Sequence, residues 1–362
     1  MNEVDIAVLP GDGIGPEVTA AARAALERLD QRHRLRLRLT EHPIGAALHR
    51  ETGTAVPATT LDAARDADAV LLGAVGLPDV RHADGTEITP HLRLRTELDL
   101  VAGIRPVRRY PQTPSPLADG RADHLDLVLV REGTEGLFAS RGRGLVVADT
   151  AATETLVITR ATTERLVDHA FALARRRREA GRGSGRVTCV DKANVFAAMA
   201  FFRKIFHERA AHHPDVEAEH LHVDAAALEL VRRPARFDVL VMESMFGDIL
   251  SGLTAGLVGG MGMAPSAELG ETHGLFQPAH GSAPDIAGRD LANPTATLLA
   301  TVMLLDRLAE RRAEPRFAEA ARALDEAVTA VYATRRALPV ELGGDAGCRR
   351  FTRAVLDRLG GG

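Results

Sequence analysis

Residues 277–294 read QPAHGSAPDIAGRDLANP, a segment of small residues and turn formers. The turn Gly-Ser-Ala-Pro at 281–284 carries no bulky side chain, so its main-chain N–H groups can approach a diphosphate closely. Asp285 follows directly, and its carboxylate can accept hydrogen bonds from ribose hydroxyls. The same carboxylate would repel a 2′-phosphate, so the segment predicts a dinucleotide site that favours NAD over NADP.

Length and composition limit the classes of protein to consider. The chain has 362 residues, of which 45% are hydrophobic and 26% charged, as in a globular protein large enough for two lobes. Its net charge of -4 offers no general attraction for nucleic acid or an anionic membrane. No signal peptide or membrane span is evident, and two cysteines are too few for a disulfide framework. We therefore expect a cytoplasmic protein without nucleic-acid or membrane partners.

Short apolar runs alternate with helical patterns, which favours an α/β architecture. The strand-like runs cover 4–9, 69–73, 125–130, 187–190 and 237–242, and helical patterns cover 17–29 and 195–206. The segment 141–159 differs, because two β-rich pieces follow each other without a helix between them. We interpret it as a hairpin-like arm.

The segment LPGDGIGPEV at 9–18 has the glycine spacing of a dinucleotide-binding turn, but the G-x-G-x-x-G pattern fails at Pro16. A simpler interpretation is that Gly11, Gly13 and Gly15 make a tight connection from a strand to a helix. Pro16 suits the first turn of that helix. The sequence therefore does not predict a Rossmann fold.

Three arginines, Arg95, Arg105 and Arg131, are each predicted close to the end of a helix or strand. Guanidinium groups bind carboxylates through paired, charge-assisted hydrogen bonds, so three converging arginines would suit a substrate with two carboxylates. Each of them alone could equally be a surface ion-pair partner.

Asp224, Asp248 and Lys192 are candidates for a metal-dependent reaction. The two aspartates lie beside apolar helical segments, and carboxylate oxygens are the ligands that Mg²⁺ and Mn²⁺ prefer. Asp248 could instead favour a helix N-terminus electrostatically. Lys192 is one of two lysines in the chain, and a desolvated amine could remove a proton from a hydroxyl. A surface lysine is the alternative.

Taken together, these motifs resemble the β-decarboxylating dehydrogenases, a family that contains isopropylmalate, isocitrate, homoisocitrate and tartrate or D-malate dehydrogenases. The resemblance covers nearly the whole chain in order. It runs through LPGDGIGPEV, LGAVG, LRTELDL, IRPV, VREGTEG, VDKANV, HVDAAALELVRRPARFDV, FGDILSG, GMAPSAELG and HGSAPDIAGRDLANP.

The resemblance implies a two-lobed α/β fold of the isocitrate/isopropylmalate dehydrogenase type. A large NAD-binding domain would comprise 1–99 and 256–362, and a small dimerisation and substrate domain 100–255. The arm near 141–159 would clasp the partner in a homodimer with shared active sites. Arg95, Arg105, Arg131 and Asp248 of one subunit would then face Lys192 and Asp224 of the other.

The resemblance also implies residue roles. Lys192 and Asp224 would be catalytic, and Asp224 and Asp248 would bind Mg²⁺ or Mn²⁺. Substrate contacts would come from the three arginines together with Thr89, His91, Leu92, Asn194 and Val195. Contacts to NAD would come from His280, Gly281, Ser282, Ala283, Asp285, Ile286 and Asn293.

Several positions depart from the family pattern. Phe138 stands where a tyrosine normally helps to protonate an enol, and Gly252 where a second aspartate normally lies one helical turn after Asp248. Ser244 replaces a usual asparagine and Gln277 a usual glutamate.

The sequence thus predicts NAD- and metal-dependent oxidative decarboxylation of a C3-substituted malate. His91 and Thr89 favour a polar or anionic substituent, in a dicarboxylate, tricarboxylate or phosphonate substrate. The alternatives are oxidation with weak decarboxylation, because Phe138 cannot donate a proton, and a dinucleotide-binding homologue without turnover.

Overall fold

The computed structural model describes residues 3–117 and 119–360, and within them the chain forms twelve β-strands and eleven α-helices. The strands are β1 Val4–Gly11, β2 Leu37–Glu41, β3 Ala69–Ala74, β4 Ala102–Arg108, β5 Asp126–Glu132, β6 Leu145–Val147, β7 Ala151–Thr153, β8 Arg186–Asp191, β9 Glu217–His222, β10 Val239–Met242, β11 Pro265–Leu269 and β12 Gly274–Pro278. The helices are α1 Gly15–His33, α2 Ala46–Thr52, α3 Ala58–Asp66, α4 Pro90–Glu97, α5 Arg160–Glu179, α6 Ala197–Ala210, α7 Val223–Arg232, α8 Ser244–Leu257, α9 Thr295–Arg312, α10 Pro315–Thr334 and α11 Cys348–Gly360.

The chain divides into two compact units. The first comprises Met1–Leu98, Tyr110–Pro114 and Gly259–Gly362, and the second comprises Asp99–Arg109 and Ser115–Val258. The domains predicted from the sequence, 1–99 with 256–362 and 100–255, stay a prediction. The roles expected for the two domains stay predictions.

In the first unit the strand order is β2-β1-β3-β12-β11. The first four strands of this order run parallel and β11 runs antiparallel to β12. All six residues of β3 are buried, as expected for a strand covered on both faces. Helix α9 packs against β11 and β12, and α1 against β3.

In the second unit the strand order is β4-β5-β10-β8-β9, with only β4 antiparallel to its neighbour. The parallel arrangement brings the carboxyl ends of β5, β10 and β8 to one edge, because Met242 lies level with both Arg131 and Val190. The segment that we interpreted as an arm contains the antiparallel hairpin of β6 and β7, all of whose residues are exposed.

The turn between β1 and α1 explains the glycines of LPGDGIGPEV. Gly13 has a φ of +57°, and a Cβ added to it would lie 2.0 Å from the carbonyl oxygen of Ser282. The neighbouring Ile14 N–H donates a 2.8 Å hydrogen bond to the same oxygen. Gly13 is therefore required by backbone conformation and by close packing, as the strand-to-helix interpretation predicts.

The alternation of strands and helices confirms the predicted α/β class. Within the part of the chain that the structure describes, no helix combines the length and the apolar character needed to cross a bilayer.

Gly13→Ala should lower the free energy of unfolding by about 2–4 kcal/mol, because the new methyl group collides with a backbone oxygen and strains a positive φ. Urea denaturation followed by circular dichroism measures this change. The matched control is Gly281→Ala in the facing loop, where an added Cβ has no neighbour within 4 Å. Equal stability of the two variants would contradict the packing argument.

Candidate active site

The loop that follows β12 carries the segment HGSAPDIAG and is anchored within the first unit. The Ser282 hydroxyl donates to the carbonyl of Gly76, and the Ser282 carbonyl accepts from Ile14 N–H. The side chain of Ile286 packs against a buried cluster that includes Val18. These contacts hold the loop beside the turn between β1 and α1.

Several features of this loop fit a dinucleotide. Gly281 has no positive φ, and a Cβ on it would meet nothing within 4 Å, so protein packing does not explain the glycine. A ligand backbone or phosphate approaching the loop would explain it. The carboxylate of Asp285 is exposed, as a ribose contact requires.

His280 adds a hydrogen-bond acceptor to the loop. Its Nδ1 lies 2.9 Å from the carbonyl oxygen of Gly281, which can only accept, so Nδ1 carries the proton. Burial lowers the pKa of His280, and the ring is therefore neutral at pH 7. Its Nε2 is buried and has no hydrogen-bond partner among the described residues. This nitrogen is available to accept a hydrogen bond from a ligand.

Asn293 has a structural role that the sequence did not suggest. Its side-chain oxygen accepts from Thr295 N–H at the start of α9, and its side-chain nitrogen donates to Glu341 at 2.9 Å. The amide is thus engaged on both sides, and a cofactor contact by Asn293 stays a prediction.

Helix α4 carries four of the predicted substrate residues. Thr89 precedes its first turn, and His91, Leu92 and Arg95 are three or four residues apart, so they share a face of the helix. Arg95 is buried and its Nη2 donates to Glu268 at 2.8 Å. We did not predict Glu268, although an acid within the strand-like PSAEL is the signal that could have revealed it.

In the second unit, β4 and β5 bring Arg105 and Arg131 together. Arg131 pairs with Gly103, two residues from Arg105, which places both arginines on one face of the two strands. The Arg131 guanidinium forms an ion pair with Asp248 at 2.5 Å and lies 5.6 Å from the centre of the Phe138 ring. The aromatic ring thus stabilises the cation although it lacks a hydroxyl.

Lys192 lies immediately after β8 and forms an ion pair with Asp224, at a distance of 2.8 Å between Nζ and Oδ1. This ammonium lowers the pKa of Asp224 below its usual value. The next residues that we predicted to contact substrate, Asn194 and Val195, are exposed.

The turn that carries Lys192 is held by Asp191, which the sequence did not single out. Asp191 is fully buried and accepts two hydrogen bonds from Arg203, at 2.7 and 2.5 Å. It also accepts from Ala193 N–H at 2.8 Å, which fixes the backbone on the far side of Lys192.

In the second unit, the residues predicted for the site form two separate ion pairs, Arg131 with Asp248 and Lys192 with Asp224. The side chains of Asp248 and Asp224 are 67% and 69% exposed, so a cation or a second chain could reach them. Within the described residues, no group of three histidine, cysteine or acidic side chains is placed to hold a metal ion. The sharing of sites between subunits stays a prediction.

The departures at Ser244 and Gly252 lie on α8. Ser244 is fully buried, and its hydroxyl oxygen lies 3.5 Å from Nη2 of Arg131. Gly252 follows Asp248 by one helical turn and is exposed, with no atom within 4 Å of an added Cβ. Packing within the chain therefore does not explain Gly252. A further departure, Gln277, is buried in β12 opposite Ser266.

Comparison with known proteins yields consistent similarities. A family model described as isocitrate/isopropylmalate dehydrogenase matches residues 5–355. The chain is 43% identical to the 3-isopropylmalate dehydrogenase of Salinibacter ruber, over 98% of this chain and 95% of that protein. It is 40% identical to the 3-isopropylmalate/3-methylmalate dehydrogenase of Methanocaldococcus jannaschii, over 98% of each chain. The crystal structure of isocitrate dehydrogenase from Methylococcus capsulatus matches with a TM-score of 0.86 at 34% identity, and covers 98% of this chain and 99% of that one.

Gly252→Asp should tighten Mn²⁺ binding by about tenfold, because it adds a carboxylate on the face of α8 that carries Asp248. Isothermal titration of the intact protein with MnCl₂ measures the dissociation constant. Gly256→Asp is the matched control, since it adds the same charge one turn further along α8 at an equally open position. An equal gain in both variants would show that only net charge matters.

Proposed function

The chain belongs to the isocitrate/isopropylmalate dehydrogenase family, and we propose that it uses NAD and Mg²⁺ or Mn²⁺ to oxidise and decarboxylate a malate substituted at C3. The predicted family and fold class are confirmed. By its family the chain is a decarboxylating dehydrogenase that acts on a secondary alcohol, and the alternative of a homologue without turnover is tested by the assay below. The predicted cytoplasmic location stays a prediction.

One observation carries the proposed chemistry. Two exposed aspartates each stand in direct contact with a cation, Asp248 with Arg131 and Asp224 with Lys192. The proposed reaction needs a cation that binds a substrate carboxylate, an amine that moves a proton, and carboxylates that bind a metal ion close to both. The cofactor side of the proposal is supported by the open backbone at Gly281, the Nε2 of His280 and the exposed carboxylate of Asp285.

The residues of this chain have distinct tasks in the proposed reaction. When bound, the divalent cation supplies Lewis acidity to the 2-hydroxy acid and NAD supplies the hydride acceptor. Arg105 and Arg131 lie on one face of β4 and β5 and can each bind a substrate carboxylate through paired hydrogen bonds. Lys192 Nζ donates a hydrogen bond to Asp224 at 2.8 Å, and this amine is the group proposed to assist removal of the hydroxyl proton.

A homodimer with shared sites is part of the proposal. Helices α7 and α8 expose apolar side chains beside the aspartates, among them Leu228 at 53% and Ile249 at 62%. The hairpin of β6 and β7 exposes another apolar surface, with Val146 at 71%. Exposed apolar surface of this kind favours association with another chain.

We also propose a chemical class for the substituent at C3 of the malate. His91 on α4 and Thr89, which precedes this helix, support a polar or anionic group, and the hydroxyl of Thr89 is buried without a hydrogen-bond partner among the described residues. The relatives named for 3-isopropylmalate and 3-methylmalate favour an apolar group instead. A panel of substituted malates separates the two.

Shared sites predict complementation between two inactive variants. Lys192→Ala and Asp248→Asn should each abolish turnover, but an equal mixture that has exchanged subunits should recover about a quarter of the wild-type activity. Half of its dimers are mixed, and each mixed dimer has one intact site. If each site were built within one chain, subunit exchange would recover nothing.

The proposed reaction is tested by following NADH and CO₂ separately, with Mn²⁺ and 3-methyl-, 3-isopropyl- and polar 3-substituted malates. We expect both products to form, and the absence of NADH with every malate would refute the proposed substrate class. Phe138→Tyr should raise CO₂ released per NADH formed, because it supplies a proton donor next to Arg131.

Phe138→Leu is the matched control for this variant, since it also lacks a hydroxyl. It should leave the product ratio unchanged. If the tyrosine variant behaves like the leucine variant, the missing hydroxyl does not limit decarboxylation.

A further inference from the structure

A buried ion pair of the second unit directly precedes Lys192 in the chain. Asp191, the last residue of β8, is fully buried, and its carboxylate accepts from Arg203 Nε at 2.7 Å and from Arg203 Nη2 at 2.5 Å. Arg203 lies on α6, and its side chain is 20% exposed. One planar guanidinium thus holds both carboxylate oxygens, which fixes the orientation of the acid.

The oriented carboxylate holds the turn that carries Lys192. Its Oδ1 accepts from Ala193 N–H at 2.8 Å, so Asp191 bonds across the lysine to the residue that follows it. The carbonyl oxygen of Lys192 accepts in turn from Val195 N–H at 3.0 Å and from Phe196 N–H at 3.2 Å. The backbone of Lys192 is therefore fixed on both sides.

The register of β8 and β9 brings the Lys192 amine to Asp224. These parallel strands end together, with Asp191 level with His222. Lys192 follows the first by one position and Asp224 follows the second by two, and Nζ lies 2.8 Å from Oδ1 of the aspartate. A lysine side chain is a flexible four-carbon stem, so its amine is placed reliably only when its backbone is fixed. Movement of the turn would therefore move the amine relative to Asp224.

We propose that Asp191 and Arg203 are positioning residues that hold Lys192 for removal of the proton from the substrate hydroxyl. The inference rests on the proposed function, because it takes Lys192 to be the group that moves this proton. The pair acts through the backbone of Lys192 and is assigned no contact with the substrate. A displaced amine slows the chemical step without weakening the binding of substrate carboxylates, so kcat falls while KM is kept.

A second buried ion pair, at the other end of β8, provides a matched control. Asp238 is 2% exposed and accepts from Arg177 Nε at 2.7 Å. It also accepts from Gly185 N–H at 2.8 Å, directly before β8 begins at Arg186. Asp238→Asn therefore removes the charge of a buried acid that holds the same strand, at the end away from Lys192.

The first test measures kcat and KM from NADH formation with saturating NAD and Mn²⁺, on the malate that the wild-type protein oxidises fastest. Asp191→Asn should lower kcat by about 10- to 100-fold, because small displacements of a reacting group are costly, and should change KM by less than about threefold. Arg203→Lys keeps the charge but loses the paired hydrogen bonds, and should lower kcat by about tenfold. Asp238→Asn should change kcat by less than about twofold. Circular dichroism identifies a temperature at which every variant is folded.

The second test follows Lys192 directly and needs no turnover. The chain has only two lysines, so protein made with lysine labelled with ¹³C at Cε gives two signals, and Lys204→Arg identifies that of Lys192. We expect a higher Cε order parameter for Lys192 than for Lys204, whose side chain is 65% exposed. Asp191→Asn and Arg203→Lys should lower the value for Lys192. Asp238→Asn should leave it unchanged.

An equal fall of kcat in Asp191→Asn and Asp238→Asn would overturn the inference, because the effect would then be one of general stability. An order parameter of Lys192 that is unchanged in Asp191→Asn would overturn it too, as would a lowered order parameter with unchanged kcat. If the wild-type protein oxidises no malate, the proposed function fails. The labelled lysine then still shows whether Asp191 positions Lys192.

Discussion

The position of the proposed NAD-binding loop after β12 depends on the buried carboxylate of Asp12. It accepts hydrogen bonds from the N–H groups of Ala46, Ala47 and Gly76, at 2.7, 2.9 and 2.7 Å. Three donors compensate the cost of burying the charge, so the acid can tie together the loops that follow β1 and β3 and the start of α2. The adjacent Gly13 then lets the loop after β12 touch this structure. The position of the proposed NAD loop follows from these two neighbouring residues.

The proposed substrate cations are held by acids of their own chain, but the acids differ in exposure. Glu268 is fully buried, so water does not screen its ion pair with Arg95. Asp224 and Asp248 are about two-thirds exposed, so Lys192 and Arg131 can exchange these partners for a ligand. Burial of the acid thus distinguishes a fixed ion pair from ion pairs whose acids are open to solvent.

Two departures from the family pattern remove a polar group, a hydroxyl at Phe138 and a carboxylate at Gly252, and neither disturbs the surrounding fold. Phe138 keeps its ring against Arg131 and lacks only a proton donor. Gly252 leaves open space where a carboxylate would fit. Both positions therefore change the chemistry of a side chain without disturbing the packing around it.

The sequence by itself determined the α/β class, the hairpin, the tight turn at Gly13 and the family, because periodicity, glycine positions and ordered motifs are local properties of the chain. It also singled out Lys192, Asp224, Arg131 and Asp248 as chemistry-bearing residues. Only the tertiary structure decided which of them pair, and it revealed Asp12, Asp191 and Glu268 as buried acids. Their partners lie up to 173 positions away, as for Arg95 and Glu268. Ion pairing depends on distance in space and on burial, and no local pattern encodes either.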